Sequence, residues 1–317
     1  MLVSFLMLAG GFLLLLRGAH YLVLGASSLA RRLGVSALVV GLTVVALGTS
    51  MPELVVNLFS AARGSTDIAV GNVLGSNIAN IMLILGLAAI IAPITVQKTT
   101  IWKEIPFSIL AVTLVFVMGN DVLFDGRMLD AITRIDGFVL LSFFGIFLYY
   151  VYGVSKRSGE RGDPVGELTM PMIALYILGG LVALGIGGSI VVEGATGFAR
   201  LVGLSDHVIA MTIVAIGTSL PEMATSLVAA YKKHTDIAIG NIIGSNIFNV
   251  FFVLGSSALV RPLPFGEFAS RDAAMVIFAS VFLFVSMFIG TRHRFDRWQG
   301  VAFVLTYLLY IGYILVV

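Results

Sequence analysis

Hydrophobic residues are grouped in ten long runs along the chain, and short polar segments separate these runs. The runs hold about 20 residues or more, the length that an α-helix needs to cross the hydrocarbon core of a bilayer. The alternative, a transmembrane β-barrel, would show segments of about ten residues with alternating polarity, and the sequence contains none. The pattern therefore predicts an all-α, polytopic membrane protein with ten transmembrane helices. The predicted spans lie near residues 2–24, 36–60, 68–92, 103–119, 133–153, 170–197, 206–230, 237–260, 271–290 and 297–316.

A polar motif in the second predicted span recurs in the seventh. Gly48–Glu53 has the sequence Gly-Thr-Ser-Met-Pro-Glu, and Gly217–Glu222 has the sequence Gly-Thr-Ser-Leu-Pro-Glu, at an offset of 169 residues. Between residues 48–86 and 217–255, 20 of 39 positions are identical without a gap. The chain therefore contains an internal repeat, and each copy contributes one carboxylate to an apolar segment.

Each repeat holds five predicted spans, which is an odd number. The second repeat must then enter the membrane in the opposite sense, giving two inverted five-helix repeats of the kind found in secondary transporters. A duplication that served stability alone would not need an odd number of spans. We expect the first repeat in residues 1–154 and the second in residues 169–317, with the polar segment 155–168 as a cytoplasmic linker.

Composition excludes several classes of protein. Charged residues make up only 11% of the chain and hydrophobic residues 59%, with a mean hydropathy of +1.05, which no soluble domain would show. A net charge of +2 is too small to indicate a nucleic-acid partner. The absence of cysteine excludes disulfides and thiolate metal sites.

Lys and Arg are unevenly distributed between the two sides of the predicted topology. The loops that follow the odd-numbered spans hold 12 of these residues, and the opposite side holds 6. Because positively charged loops tend to remain in the cytoplasm, the first set is predicted to be cytoplasmic and both termini extracytoplasmic.

The repeated motif has the residue types of a cation site. Pro52 cannot donate a hydrogen bond to the carbonyl of Gly48, so the helix must bend or break there. In a membrane, such a carbonyl is tolerated only inside the protein or facing a water-filled cavity.

Helical spacing places Thr49 and Ser50 beside Glu53. Carboxylate, hydroxyl and carbonyl oxygens are the ligands of hard cations such as Ca²⁺ and Na⁺. Inversion of the repeat would bring the second set of side chains to face the first: Thr218, Ser219 and Glu222.

The next span in each repeat supplies further candidate ligands. Ser76 and Asn80 are four residues apart, as are Ser245 and Asn249, so a hydroxyl and an amide oxygen share one helix face in each repeat. Glycines at 71, 75, 240 and 244 have the G-x-x-x-G spacing that permits close helix approach.

An acid at membrane depth costs several kcal/mol unless it is paired or functional. Arg17, the basic residue well inside a predicted span, could form a structural salt bridge with Glu53 or Glu222. It cannot pair symmetrically with both, because its counterpart in the second repeat is Ile186. We interpret Glu193, whose counterpart is Leu24, as a peripheral or cavity acid and not as a core ligand.

The sequence contains no motif of an enzyme. His-Glu-x-x-His and Walker sequences are missing, and the four histidines are scattered along the chain. The loops are too short to hold a nucleotide-binding domain. We therefore predict a transporter, not an enzyme, that is powered by an ion gradient.

Two pairs of segments resemble the two α-repeats of the cation/Ca²⁺ exchanger superfamily: Gly48–Glu53 with Gly71–Asn80, and Gly217–Glu222 with Gly240–Asn249. The resemblance covers essentially the whole chain in length, number of spans and order of repeats. It implies a compact prokaryotic sodium/calcium exchanger of the plasma membrane, with ten helices in two inverted halves. It also implies that Glu53 and Glu222 are the Ca²⁺ carboxylates and that the carbonyls of Ala46 and Ala215 are Na⁺ ligands. The other implied ligands are hydroxyl side chains: Thr49, Ser50, Ser76, Thr218, Ser219 and Ser245.

Two details distinguish branches of that superfamily. The K⁺-dependent branch typically carries Asp where this chain has Asn249, which argues against K⁺ co-transport. The H⁺-coupled branch typically has Gly-Asn-Ala before its acids, where this chain has Gly-Thr-Ser.

The sequence thus predicts a secondary antiporter that exchanges Na⁺ for Ca²⁺ by alternating access at a central two-glutamate site. Ca²⁺ and Na⁺ are its predicted substrates and the lipid bilayer its surroundings, with no cofactor and no required protein partner. An H⁺/Ca²⁺ antiporter is the alternative within this class. A cation channel lined by the same acids is the alternative from another class, although channel filters more commonly come from a ring of subunits.

Overall fold

The computed structural model describes residues 2–126, 129–156, 168–201 and 217–316. Helices dominate this part of the chain, and several of them include a short π-helical stretch. In chain order the helices are α1 (Leu2–Leu33), α2 (Ala37–Thr49), α3 (Met51–Arg63), α4 (Thr66–Ile91), α5 (Thr100–Gly119), α6 (Asp121–Asp125), α7 (Arg134–Ser155), α8 (Met170–Leu201), α9 (Leu220–Tyr231), α10 (Thr235–Val260), α11 (Glu267–Ser286) and α12 (Arg297–Val316).

The chain is a multi-pass membrane protein. In the described part, seven helices are long and apolar enough to cross a membrane, or eight if the bent pair α2 and α3 forms one span. Two of the seven are central: 94% of the most apolar window of α10 and 72% of that of α4 is buried, against 22% for α7. Helices α1, α7 and α8 expose large apolar side chains, among them Leu13, Phe138 and Leu175, as lipid-facing helices do.

Each predicted span coincides with a helix, in the predicted order, as far as the described residues extend, and seven or eight of these helices are long and apolar enough to cross a membrane. Most boundaries differ by a few residues; α1 continues nine residues beyond the predicted end of the first span, and α11 begins and ends four residues early. The predicted seventh span is described only from residue 217, and most of the predicted linker, residues 157–167, lies outside the described residues.

Helices α1 and α8 pack closely along their length because glycines line their contact. A Cβ on Gly18 would lie 2.9 Å from the carbonyl oxygen of Gly180, and a Cβ on Gly180 would lie 2.8 Å from that of Gly18. A Cβ on Gly11 would lie 2.7 Å from a methyl group of Val191. Glycine at these positions lets the two backbones touch, as in other close membrane-helix pairs.

The predicted G-x-x-x-G spacing has this role in the second repeat. A Cβ on Gly240 would lie 2.9 Å from the carbonyl oxygen of Leu38, and a Cβ on Gly244 would lie 2.7 Å from the Cβ of Ala46. These contacts press α10 against α2, directly before the repeated motif. Gly71 and Gly75 have no such neighbour among the described residues.

Short antiparallel strand pairs, which no pattern in the sequence predicts, join the loops. Ile94–Thr95 (β1) pairs with Arg294–Phe295 (β4), and Ala131–Ile132 (β2) pairs with Leu263–Pro264 (β3). Each pair links a loop of the first predicted repeat to a loop of the second. These pairs are held by backbone groups that are free beyond the helix ends. Two residues are too few to show a hydrophobic periodicity, so the sequence pattern does not predict them.

Candidate cation site

The two repeated motifs lie where helices break. Helix α2 ends at Thr49 and α3 begins at Met51 with a bend of 45°, and Ser50 between them has φ −84° and ψ 7°. Ser219, before α9, has nearly the same conformation, with φ −86° and ψ 3°. Pro52 and Pro221 lie in the first turn of the helices that follow, where the missing N–H costs no hydrogen bond. The predicted break is therefore present at the first motif, and the second motif has the same local conformation where α9 begins.

The breaks bring the acids of the two motifs into one buried cluster. Glu53 is 0% exposed and Glu222 is 1% exposed. The hydroxyl of Ser50 donates to Glu222 Oε1 at 2.9 Å, and the hydroxyl of Ser219 lies 3.4 Å from Glu53 Oε1. Ser219 Oγ also lies 3.1 Å from Ser76 Oγ. Each acid is thus bonded to a serine of the opposite motif, as expected if inversion brings the two motifs face to face.

The threonines of the two motifs bond to two asparagines that are not among the predicted ligands. Thr49 Oγ1 donates to Asn241 Oδ1 at 3.1 Å, and Thr218 Oγ1 donates to Asn72 Oδ1 at 3.2 Å. The signal for these residues was present, because Asn72 and Asn241 recur at the offset of 169 residues. Their role as hydrogen-bond acceptors for the opposite motif depends on tertiary packing, which the repeat does not reveal.

Four further asparagines join the central helices α4 and α10. Asn80 Nδ2 donates to Asn246 Oδ1 at 3.0 Å, and Asn249 Nδ2 donates to Asn77 Oδ1 at 3.2 Å. These bonds are again reciprocal, since Asn77 and Asn246 are counterparts, as are Asn80 and Asn249. They fix the amides of Asn80 and Asn249 with the nitrogen donating, so each carbonyl oxygen remains available as an acceptor or a cation ligand.

Several oxygens of the predicted ligands are buried without a hydrogen-bond donor among the described residues. A buried oxygen that receives no donor costs about 1–3 kcal/mol, and more if it is charged. Such oxygens would be satisfied by cations, because each can coordinate a metal ion directly. The atoms are Glu53 Oε2, Glu222 Oε2, Ser245 Oγ, Asn80 Oδ1 and Asn249 Oδ1.

The carbonyl of Ala46 is already engaged in this conformation. Its oxygen accepts from the N–H of Ser50 at 3.0 Å and lies 3.3 Å from the hydroxyl of Thr49, whose single proton is donated to Asn241. A Na⁺ ion at this carbonyl would therefore share the oxygen with the N–H of Ser50. Ala215, the other predicted carbonyl ligand, lies outside the described residues.

No basic residue of the described part pairs with either acid. Arg17, the alternative partner, has an exposed side chain on α1, and neither Glu53 nor Glu222 forms an ion pair with a described residue. Nor do three or more His, Cys, Asp or Glu side chains of the described residues come together in a group that could hold a metal ion. The cluster thus offers two carboxylates among neutral oxygens. This combination can neutralise one divalent cation without binding it as tightly as a cage of many carboxylates would.

The chain is similar over nearly its full length to known membrane proteins. A sequence model of the family described as "Sodium/calcium exchanger protein" matches residues 3–153 and 172–316. The inner membrane protein YrbG of Escherichia coli is 37% identical, with 89% of this chain and 87% of that protein covered. The sodium/calcium exchanger MaX1 of Methanosarcina acetivorans is 32% identical, with 98% and 97% covered. Among solved structures, the sodium-calcium exchanger NCX_Mj superposes with a TM-score of 0.84 at 33% identity, covering 98% of both chains.

Proposed function

Because this chain belongs to the sodium/calcium exchanger family, whose members are transporters, we propose that it is an antiporter that exchanges Na⁺ for Ca²⁺. In this proposal its ten predicted membrane spans form two inverted five-helix repeats, and the ions bind alternately at the cluster around Glu53 and Glu222. The ligands are the predicted set of hydroxyl, amide and carbonyl oxygens. Ca²⁺ and Na⁺ are substrates, not resident cofactors.

The single observation that carries this proposal is the reciprocal bonding of the two motifs. Ser50 of the first repeat contacts Glu222, and Ser219 of the second contacts Glu53. A site built from both repeats changes its coordination when one repeat moves against the other. Alternating access requires this coupling between the position of the repeats and the shape of the site.

Charge balance explains why the two ions exclude each other. Two carboxylates neutralise one Ca²⁺ or two Na⁺, so a site filled by one substrate repels the other electrostatically. In a low-dielectric, buried cluster an uncompensated pair of carboxylates is costly, which disfavours movement of the site without ions. The site therefore moves across the membrane when one Ca²⁺ or two Na⁺ are bound and not when it is empty, and this restriction couples the two fluxes as an exchange.

We infer that Na⁺, and not H⁺, is the coupling ion. Neutral hydroxyl and amide oxygens outnumber the carboxylates, and these oxygens can bind Na⁺ but not hold a proton at neutral pH. Two relatives are named sodium/calcium exchangers, which supports the same ion. Exchange of H⁺ for Ca²⁺ is the second candidate, since the same two carboxylates could carry protons.

The uneven distribution of Lys and Arg supports a cytoplasmic position for the loops after α1 and α9. They include Arg31, Arg32, Lys232 and Lys233. Both termini would then be extracytoplasmic. We place the protein in the plasma membrane of a prokaryote.

Ca²⁺ uptake into proteoliposomes tests this proposal. The purified protein is reconstituted with an outward Na⁺ gradient, an outward H⁺ gradient, or neither. Uptake that requires the Na⁺ gradient supports the proposal. Uptake that follows the H⁺ gradient alone would show H⁺/Ca²⁺ exchange, and equal uptake under all three conditions would indicate a channel.

A further inference from the structure

A cavity of about 810 Å³ lies beside α8 and reaches the broken segments of both repeats. Thr49 and Pro52 line it from the first motif, and Thr218 and Pro221 line it from the second. This volume is many times the roughly 30 Å³ that one water molecule occupies in the liquid. The cavity therefore has room for a hydrated cation beside Thr49 and Thr218, two predicted ligands of the site.

Most of the cavity wall is apolar, and one residue gives it a charge. Leu181, Val182 and Val192 are among the apolar side chains that α8 contributes. Glu193 follows Val192, has an exposed side chain, and is the only charged residue among the described residues that line the cavity. Apolar walls of low polarisability focus the field of such a charge into the cavity.

The corresponding surface of α1 carries the opposite charge. The offset of 169 residues relates Glu193 to Leu24, Ser189 to His20 and Ile186 to Arg17. Lys232 adds to this basic surface, because its ammonium group lies 3.3 Å from the carbonyl oxygen of His20. The surfaces of α1 and α8 thus have opposite charge at positions that the repeat would otherwise make equivalent.

The basic residue that corresponds to Lys232 does not restore the symmetry. This residue, Arg63, places its guanidinium 6.0 Å from the centre of the Phe59 ring and does not line the cavity. No basic group of the described residues therefore offsets the charge of Glu193 in the cavity wall of α8. The corresponding surface of α1, in contrast, carries Arg17 and has Lys232 close to it.

We propose that Glu193 raises the apparent affinity for cations at one face of the membrane only. That face is the one at which α8 ends, near Leu201. Glu193 attracts cations into the cavity, and the basic surface of α1 gives them no equivalent attraction from the opposite face. The inference rests on the exchange function proposed above, and it adds that the apparent affinity for cations differs between the two faces of the membrane.

The test measures the KM for Ca²⁺ from each face, in proteoliposomes of known protein orientation at low ionic strength. The variants are Glu193→Leu, which installs the counterpart residue, and Glu193→Asp, which keeps the charge. Glu267→Gln serves as the matched control, because Glu267 is an exposed acid that does not line the cavity.

We expect Glu193→Leu to raise the KM from one face roughly three- to tenfold, with the maximal rate and the KM from the other face unchanged. The increase should shrink at high ionic strength, where the Debye length falls to a few ångströms. Glu193→Asp and Glu267→Gln should behave like the wild type. The reverse variant, Leu24→Glu, should lower the KM from the opposite face.

Equal KM values for wild type and Glu193→Leu at both faces would overturn the inference. A fall in maximal rate with an unchanged KM would also overturn it, because that result indicates a structural role. A wild type with no Na⁺-dependent Ca²⁺ uptake would instead overturn the proposed function, and the sidedness with it.

Discussion

The hydroxyl of Ser50 donates a hydrogen bond of 2.9 Å to Oε1 of Glu222, so a serine of one motif holds the carboxylate of the other. The reciprocal contact, from Ser219 to Glu53, is longer at 3.4 Å. The two halves of the cluster are therefore related but not equivalent in this conformation. A movement that equalised or reversed these two distances would change the ligands that each acid offers to a cation.

Replacing either glutamate should abolish Ca²⁺ transport while the protein remains folded. Glu53→Gln and Glu222→Gln keep the shape of the side chain and remove one of the two charges that balance a divalent ion. Glu104→Gln is a matched control, since Glu104 is equally buried but bonds to Tyr150 outside the cluster. The measurement is Na⁺-driven Ca²⁺ uptake, with elution from a sizing column as the check on folding. Normal exchange by a well-expressed Glu53→Gln or Glu222→Gln protein would contradict the two-carboxylate site.

Acid should inhibit exchange. A carboxylate of Glu53 or Glu222 that binds a proton loses the charge that holds Ca²⁺, so protons and Ca²⁺ compete for the same oxygens. The apparent affinity for Ca²⁺ should fall as the pH falls, and Ca²⁺ binding at acidic pH should release protons. Calorimetry in buffers of different ionisation enthalpy detects this release. A binding enthalpy that is independent of the buffer at every pH would show that Ca²⁺ displaces no proton from the site, and it would contradict the predicted competition.

Exchange by the wild type should be indifferent to K⁺, because Asn249 adds no charge to the cluster. Asn249→Asp would place a third carboxylate next to the Asn77 amide, with which Asn249 now bonds at 3.2 Å. The added charge should make transport depend more strongly on pH and favour an additional monovalent cation. Fluxes in liposomes with choline in place of K⁺ measure this dependence. An absolute K⁺ requirement in the wild type would contradict the assignment of Asn249.

The close contact of α1 and α8 predicts a difference between neighbouring glycines. Gly11→Val should destabilise the protein by about 1–3 kcal/mol, because a Cβ there lies 2.7 Å from Val191 and 3.0 Å from the carbonyl of Gly187. Gly10→Val is the control, since a Cβ at Gly10 meets nothing within 4 Å among the described residues. Thermal unfolding in detergent should show a lower midpoint for Gly11→Val alone. Equal midpoints for the two variants would mean that the helices are not held this closely.

Much of the arrangement follows from the sequence because its causes are local. Pro52 and Pro221 predict the broken helices, and apolar run lengths predict the spans. The repeat, with its odd number of spans, predicts that Ser50 and Glu222 meet. Each of these inferences needs only helix geometry, the length of a bilayer crossing and one operation of symmetry.

The features that the sequence did not predict depend on contacts between distant segments. Asn72 and Asn241 could be recognised as repeated residues, but the orientation of an amide is decided by the neighbours that it meets after folding. The strand pairs between loops have no periodicity to detect. The cavity beside α8 breaks the symmetry of the repeats, so the repeat itself could not predict it. The sequence signal for it is the difference between Glu193 and its counterpart Leu24.

Equilibrium binding of radioactive Ca²⁺ to the purified protein, at increasing Na⁺ concentration, tests the central claim most directly. If one cluster built around Glu53 and Glu222 binds the two ions in turn, Na⁺ should displace bound Ca²⁺ completely and with a Hill coefficient above 1. Glu53→Gln and Glu222→Gln should show no Ca²⁺ to displace. Ca²⁺ that stays bound at saturating Na⁺, or that binds equally well to both variants, would contradict the account.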